Sequence, residues 1–566
     1  MKSRRQVILV VGFFTFLFLV FFSPVLVRGK LLAFGVDGLQ NYLPYFYSHK
    51  TLWDILIFGG FPMLADPQVM TWYPPAALLS QFPGTWNVFM VLAYVAGSCF
   101  MCGYVYQLTS SRVAGLVSGI SFGLSGFMIA HLVHAIIIQT AVWFPLIMWS
   151  LESQRAQQSK AWLIIGGLGI ALSLLGGQPQ ISLYGLILSA TYAATRGWSS
   201  PRGKWQFYSS FLLMVAIGFG LAAIQLIPTA ELFRQSLRSD YSFEIFVSHS
   251  LPPRQLLTLI FPLSFGVREF GAMPYFGAVN QVELTGYVGL LPLMLASLGV
   301  VISHMRNVTL FWVLIALVGL ILVMGEATPL ARIVYQIPII SGFRAPARHF
   351  FEFTFAVSVL AGLGTAAICE HRISARQLRR VLMFAAIAML IVLGILSLNL
   401  NHLAGLATGK GITRIALLSW LKQTTSITII VFLLELAALV WFQKNVRSVP
   451  RQIAFLSILI IDLASCGWFY DWRYSALSTR ILTAPEIVNR YERSLSATNQ
   501  RLLSPNGVYG SVGEVAPNLS RLWGIPSAGG CNPLMISRIG QTLSMTEVGT
   551  VHAVILRNTA DSGEPQ

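Results

Sequence analysis

The sequence predicts an all-α polytopic membrane protein with about thirteen transmembrane helices and a small polar C-terminal domain. Three observations carry that prediction. Apolar residues make up 55% of the 566-residue chain and charged residues only 10%, against about 25% charged in a soluble domain. The mean hydropathy is +0.69. Many windows of about 17–22 residues carry no charge and are long enough to cross a bilayer core as helices. The net charge of +17 reads as topology, because basic residues accumulate in cytoplasmic loops. Membrane lipids, not nucleic acid, are therefore the expected surroundings.

The first span follows Lys2, Arg4 and Arg5, and Val7–Phe22 is apolar. The flank SPVLVR lacks a small-x-small cleavage site, so this segment is expected to remain as an uncleaved helix. Spans are expected near 6–27, 86–107, 113–130, 135–151, 161–176, 180–195, 207–228, 286–303, 308–324, 350–369, 381–398, 426–442 and 452–469. With the N-terminus cytoplasmic, Arg112, Arg155, Lys160, Arg196, Arg306, Arg372, Arg376 and Arg447 fall in inner loops. The outer segments are then 28–85, 131–134, 176–180, 230–285, 325–349, 399–425 and 470–566. They are richer in prolines, aromatics and candidate acids than the inner segments, so chemistry is expected on the outer face. The chain divides into a membrane domain, 1–469, with outer loops 28–85 and 230–285, and an extracytoplasmic C-terminal domain, 470–566.

Residues 470–566 are polar enough to be soluble, and short apolar runs such as VHAVIL (551–556) read as strands. A small α/β or mostly β domain is expected, ending in a disordered DSGEPQ. Cys99 and Cys102 stand at i and i+3 of an apolar helix with no polar partner, which reads as small core residues. Cys531 has no second tail cysteine to pair with. The sequence has no GxxxxGK(S/T), HExxH or GxSxG motif. Glu435 and Asp462 are the acids expected inside spans, fewer than a coupled transporter usually needs.

Six stretches, taken in order, resemble the bacterial YfhO-like membrane protein family. They are VDGLQNYLPYF (36–46), GGFPMLADPQVMTWYPP (59–75), GGQPQISLYG (176–185), TGYVGLLPL (285–293), GFRAPARHFFEF leading to AGLG (342–364), and PNLSRLWGIPSAGGCNPLMISRI (517–539). The resemblance implies a GT-C-like fold in a bacterial plasma membrane. It also implies transfer of a sugar from a polyprenyl-phosphate donor to an envelope glycan, teichoic-type polymer or lipid. An acid in the first outer loop of that group serves as catalytic base or helps hold a metal, and Asp37 occupies that place. Asp37 has no adjacent acid, the next being Asp54 and Asp66. A divalent metal is thus allowed by the family and not indicated by these residues.

The residues support this chemistry in their own right. Inverting transfer needs a carboxylate to take the acceptor's proton, and fixed positive charge to receive the departing phosphate. Asp37 is the candidate base. Arg344 and Arg348 are the candidate phosphate clamp, at i and i+4 if the segment is helical, with Pro346 between them. His349, Gln178, Gln180, Asp66, Glu283, His131 and His134 are further candidate substrate contacts. Each has a plainer role: Asp37 as cap of a helix from Leu39, the arginines as lipid-headgroup contacts, Gln178 and Gln180 as turn residues, Asp66 as a turn before Pro67, and Glu283 as a cap. Two rival functions remain at this stage. One is a flippase of lipid-linked precursors with a path lined by Glu435 and Asp462. The other is a non-catalytic envelope assembly factor.

Overall fold

The long apolar runs fold as helices because a bilayer leaves no other way to satisfy their backbone polar groups. A computed structural model describes residues 4–201, 203–236, 241–267, 273–278, 280–370, 373–498, 500–503, 515 and 518–542. Every expected span contains a helix. Among the described residues, ten helices are long and apolar enough to cross a membrane. Lys160–Leu175 and Leu290–Ile302 are apolar but shorter. Pro179–Trp198 is a 20-residue helix made more polar by Gln180, Thr191, Thr195 and Arg196.

Burial sorts the helices into a centre and a shell. In Arg112–Val133 and Pro346–Cys369, 94% of the apolar window is buried, against 17% in Ala375–Leu398. A helix apolar all round but exposed to this extent has its surface against lipid. The centre is packed through small residues. Gly299 of Leu290–Ile302 faces Gly364 of Phe350–Cys369, and a Cβ on Gly364 would overlap the Leu295 carbonyl. Gly364→Ala is therefore expected to cost about 1–3 kcal/mol, read as a lower unfolding temperature in detergent. Gly394→Ala, in open space on the Ala375–Leu398 helix, should leave it unchanged.

Two buried acid clusters tie helices together away from the loops. Glu152 accepts from Arg196 Nε (2.6 Å), Arg155 Nε (3.0 Å) and Tyr192 Oη (2.7 Å). Glu435 and Asp462 both accept from the Leu291 backbone N–H, and the Tyr287 hydroxyl also bonds Asp462. Both acids are fully buried. They cap the start of Leu290–Ile302 instead of lining the path that the flippase alternative requires.

The C-terminal region lies on the first loop. Leu477–Ser478 pairs antiparallel with Lys30–Leu31, Lys30 opposite Ser478 and Leu31 opposite Leu477. The remaining described tail holds the helices Glu486–Thr498, Leu519–Trp523 and Ser537–Thr542, so helix outweighs strand there. VHAVIL lies outside the described residues. Leu534 and Met535 pack on Ile57, Phe58, Phe61 and Leu232, and Leu519 and Ile525 sit in a cluster that reaches Leu39.

Candidate functional site

Five segments bring polar side chains to one place at the end of the helix bundle. The first is residues 35–47. Its helical turn Gly35–Asp37 widens at Gly38–Tyr42, where Leu43 N–H reaches back to Gly38 O, before Leu43–Tyr47 resumes a regular helix. Such widened turns concentrate at functional sites. Asp37 is itself helical (φ −65°, ψ −41°) and makes no side-chain cap bond. The capping role considered for it from sequence is not the one it has. Asn41, one helical turn on, donates Nδ2–H to Asp37 Oδ1 at 3.1 Å.

The second segment is the tight hairpin HLVH. The span Arg112–Val133 ends and Ala135–Gln157 begins with only His134 between them, so both histidines sit at its apex. His134 Nε2 lies 3.3 Å from Asp37 Oδ2. His131 Nδ1 faces Phe127 O at 3.0 Å and its Nε2 faces Glu283 Oε2 at 3.3 Å. The third segment, 281–287, is held against the hairpin because Gly126 donates to Tyr287 O at 2.6 Å. A Cβ on Gly126 would collide with the Tyr287 backbone. That contact places Glu283 over His131. Glu283 does not cap the helix that follows.

The fourth and fifth segments supply Arg348 and Gln180. Arg348 lies in the short turn Pro346–His349, entered through Ala345 at φ +62°. Arg344 and Arg348 are thus not on one regular helix, and they do not form the paired clamp expected from i, i+4 spacing. Arg348 grips Glu283 in bidentate fashion, Nη2 to Oε1 at 2.6 Å and Nε to Oε2 at 3.0 Å. Its Nη1 donates to Gln180 Oε1 at 2.9 Å, and Gln180 Nε2 donates to Arg344 O (2.8 Å) and Tyr184 Oη (2.9 Å). His349 stacks on Tyr184 with ring centroids 4.1 Å apart and faces Glu352 at 2.9 Å. Arg344, Pro346, His349 and Tyr184 line a small cavity.

The two acids differ in access. The Glu283 side chain is 5% exposed and the Asp37 side chain 45% exposed. Desolvation raises the Asp37 pKa, but the hydrogen bonds from His134 and the Asn41 amide outweigh it and hold the carboxyl below its ordinary value. Burial likewise opposes ionisation of Glu283, and the Arg348 guanidinium overcomes it by a wide margin. Both are carboxylates at neutral pH. Asp37 is the one that a ligand from solution can reach.

Two sequence candidates lie elsewhere. The Gln178 backbone N–H bonds Thr140 Oγ1 (3.2 Å) at the start of Pro179–Trp198. Asp66 is fully buried and accepts from Asn532 Nδ2 (2.5 Å) and the Gln68 N–H (2.9 Å). Burial raises its pKa, and burial lowers that of neighbouring Lys50 to about 7. This second cluster joins the tail to the first loop. Arg521 pairs with Asp54 and covers the Tyr45 ring at 4.8 Å. Asn518 bonds Asn41 Oδ1 at 3.0 Å, which links the tail to Asp37 through one amide. Arg521→Ala leaves Asp54 buried and unpaired, so protease cleavage within the tail is expected to accelerate at least about tenfold.

Asn41, Asn518 and Tyr184 were not singled out from sequence. Only Asn41 carried a signal, its helical spacing from Asp37. The sequence also gave no reason to join His131, His134 and Glu283. Each offers one donor atom, and these atoms lie within 4.8 Å of one another.

Comparison with known proteins agrees with the fold. A family model described as "Bacterial membrane protein YfhO" matches residues 11–465. No curated protein matches the chain. The crystal structure of ArnT from Cupriavidus metallidurans bound to undecaprenyl phosphate superposes with a TM-score of 0.50 at 14% identity, over 99% of this chain and 91% of that one. The apo ArnT structure gives 0.48 at 13% identity, over 100% of this chain and 92% of that one. The arabinofuranosyltransferase AftD from Mycobacteria gives 0.40 at 14% identity, over 69% of this chain and 26% of that one.

Proposed function

The chain belongs to the bacterial YfhO membrane protein family, and on that premise we propose that it is a GT-C type inverting glycosyltransferase. Its donor is a polyprenyl-phosphate sugar, and its acceptor is a hydroxyl of an envelope glycan or lipid. The N-terminus is cytoplasmic and the site opens extracytoplasmically. The observation that carries this reading is an ionised, half-exposed Asp37 beside a buried Glu283–Arg348–Gln180 network at the end of the bundle. The fold shared with ArnT, crystallised with undecaprenyl phosphate bound, supports the class of donor.

In the reaction the acceptor oxygen attacks the anomeric carbon while the bond from that carbon to the phosphate oxygen breaks. The acceptor's proton passes to Asp37, and polyprenyl phosphate leaves with the electron pair. Asp37 Oδ1 and Oδ2 face Asn41 and His134, yet a carboxylate has further lone pairs. The exposed side of Asp37 is where the hydroxyl docks. Arg348 is committed to Glu283, so it fixes the wall of the site. Arg344, lining the cavity with His349 and Tyr184, is the cation that receives the phosphate.

The test is reconstitution in vesicles with a panel of polyprenyl-phosphate sugars and envelope lipid extract. The expected result is transfer of labelled sugar with an equal amount of polyprenyl phosphate released. Absence of transfer with every donor overturns the proposal.

A further inference from the structure

We propose that His131, His134 and Glu283 form a divalent metal centre of the zinc class, with Asp37 as its outer carboxylate. The argument starts from ring tautomers. A carbonyl oxygen can only accept, so His131 Nδ1 carries the proton that it donates to Phe127 O. A neutral His131 then turns a lone pair on Nε2 toward Glu283 Oε2, 3.3 Å away in a fully buried setting. Two acceptors at that distance need a proton or a metal ion between them, and a metal ion also accounts for the buried nitrogen that His134 leaves without a partner among the described residues. Ligand atoms each about 2.0–2.2 Å from a tetrahedral zinc stand at about this separation from each other.

His134 points the same way independently. Its Nε2 meets the Asp37 carboxylate at 3.3 Å, and its Nδ1 is buried with no hydrogen-bond partner among the described residues. With Nε2–H donated to Asp37, Nδ1 presents an unused lone pair. Each histidine therefore holds one nitrogen on an oxygen acceptor and leaves the other for a metal, the arrangement in which metal-ligating imidazoles are found. Glu283 is prepared in the same manner, since Arg348 occupies part of its carboxylate and fixes its orientation. Two imidazoles and one carboxylate form a borderline donor set with room for a further ligand, which suits Zn²⁺ in a reactive site.

Charge adds a consequence. Glu283, Asp37 and Arg348 together carry one net negative charge, so a divalent ion leaves the centre with one net positive charge. That sign favours a phosphate oxygen as the remaining ligand. This last step rests on the proposed transferase reading; metal binding does not.

The full chain in detergent is stripped with chelator, dialysed, and titrated with Zn²⁺ by calorimetry, with metal content measured by mass spectrometry. One Zn²⁺ per chain is expected. His131→Ala and His134→Ala should each weaken binding by more than about 100-fold, and Asp37→Asn by about 10–100-fold with stoichiometry kept. Co²⁺ added to the wild type should give the intense visible bands of four-coordinate ligation, a readout that needs no variant to fold. No bound Zn²⁺, weak six-coordinate Co²⁺ bands, or wild-type affinity in a folded His134→Ala overturns the centre. Zn²⁺ binding without sugar transfer retains the centre and removes the transferase; sugar transfer by a protein that binds no Zn²⁺ does the reverse.

Discussion

Asp37→Asn lowers sugar transfer by about 10²–10⁴-fold, the usual contribution of a positioned general base. The carboxamide matches the carboxylate in size and can still accept from Asn41 or His134, so the loop keeps its shape. What it loses is the capacity to take a proton. The loss therefore falls in kcat, with little change in KM for the donor. The wild-type pH profile should show the same group. The folded Asp37 pKa lies below its ordinary 3.8, and the active form is the ionised one. The rate is thus insensitive to this group through neutrality and falls only as the pH drops through that lowered value. An acid limb near pH 6 would assign the base to another residue.

Arg348→Met produces the largest loss of stability. It removes the guanidinium from a carboxylate that is 5% exposed and holds two of its bonds, and it also strips Gln180 of a donor. Breaking one side of a buried pair costs about 3–5 kcal/mol, because the remaining charge has neither partner nor water. The unfolding temperature in detergent should fall sharply. The double variant Arg348→Met with Glu283→Gln removes that orphaned charge and should recover a substantial part of the loss. A single variant as stable as wild type, or a double variant no better than the single, would show that the pair does not hold these segments together.

Much of the membrane architecture is legible in the chain because a span announces itself locally, through about 20 apolar residues in a row. Helices stand at all the expected positions for that reason. The tail is less legible. Its described part owes its placement to Arg521, Asn518 and Asn532 bonding Asp54, Asn41 and Asp66, more than 460 residues away in sequence. No periodicity reports such contacts.

The site divides on the same physical line. Asp37 was identified by its isolation at the mouth of a loop, and Arg348, Glu283 and Gln180 by their polarity beside spans. Their pairing was invisible, since it depends on which helix ends meet. Helical spacing put Arg344 and Arg348 on one face, but the left-handed backbone at Ala345 and the short turn Pro346–His349 separate their roles. The tight HLVH hairpin likewise turns two ordinary loop histidines into neighbours of two different acids.

The most direct test of the account follows one labelled donor in sealed vesicles holding the wild-type protein, scoring sugar transfer and transbilayer movement of intact donor together. The account predicts transfer of the sugar, stoichiometric polyprenyl phosphate, and no protein-dependent movement of intact donor. Movement of intact donor without transfer would contradict it and assign the chain to the lipid flippases.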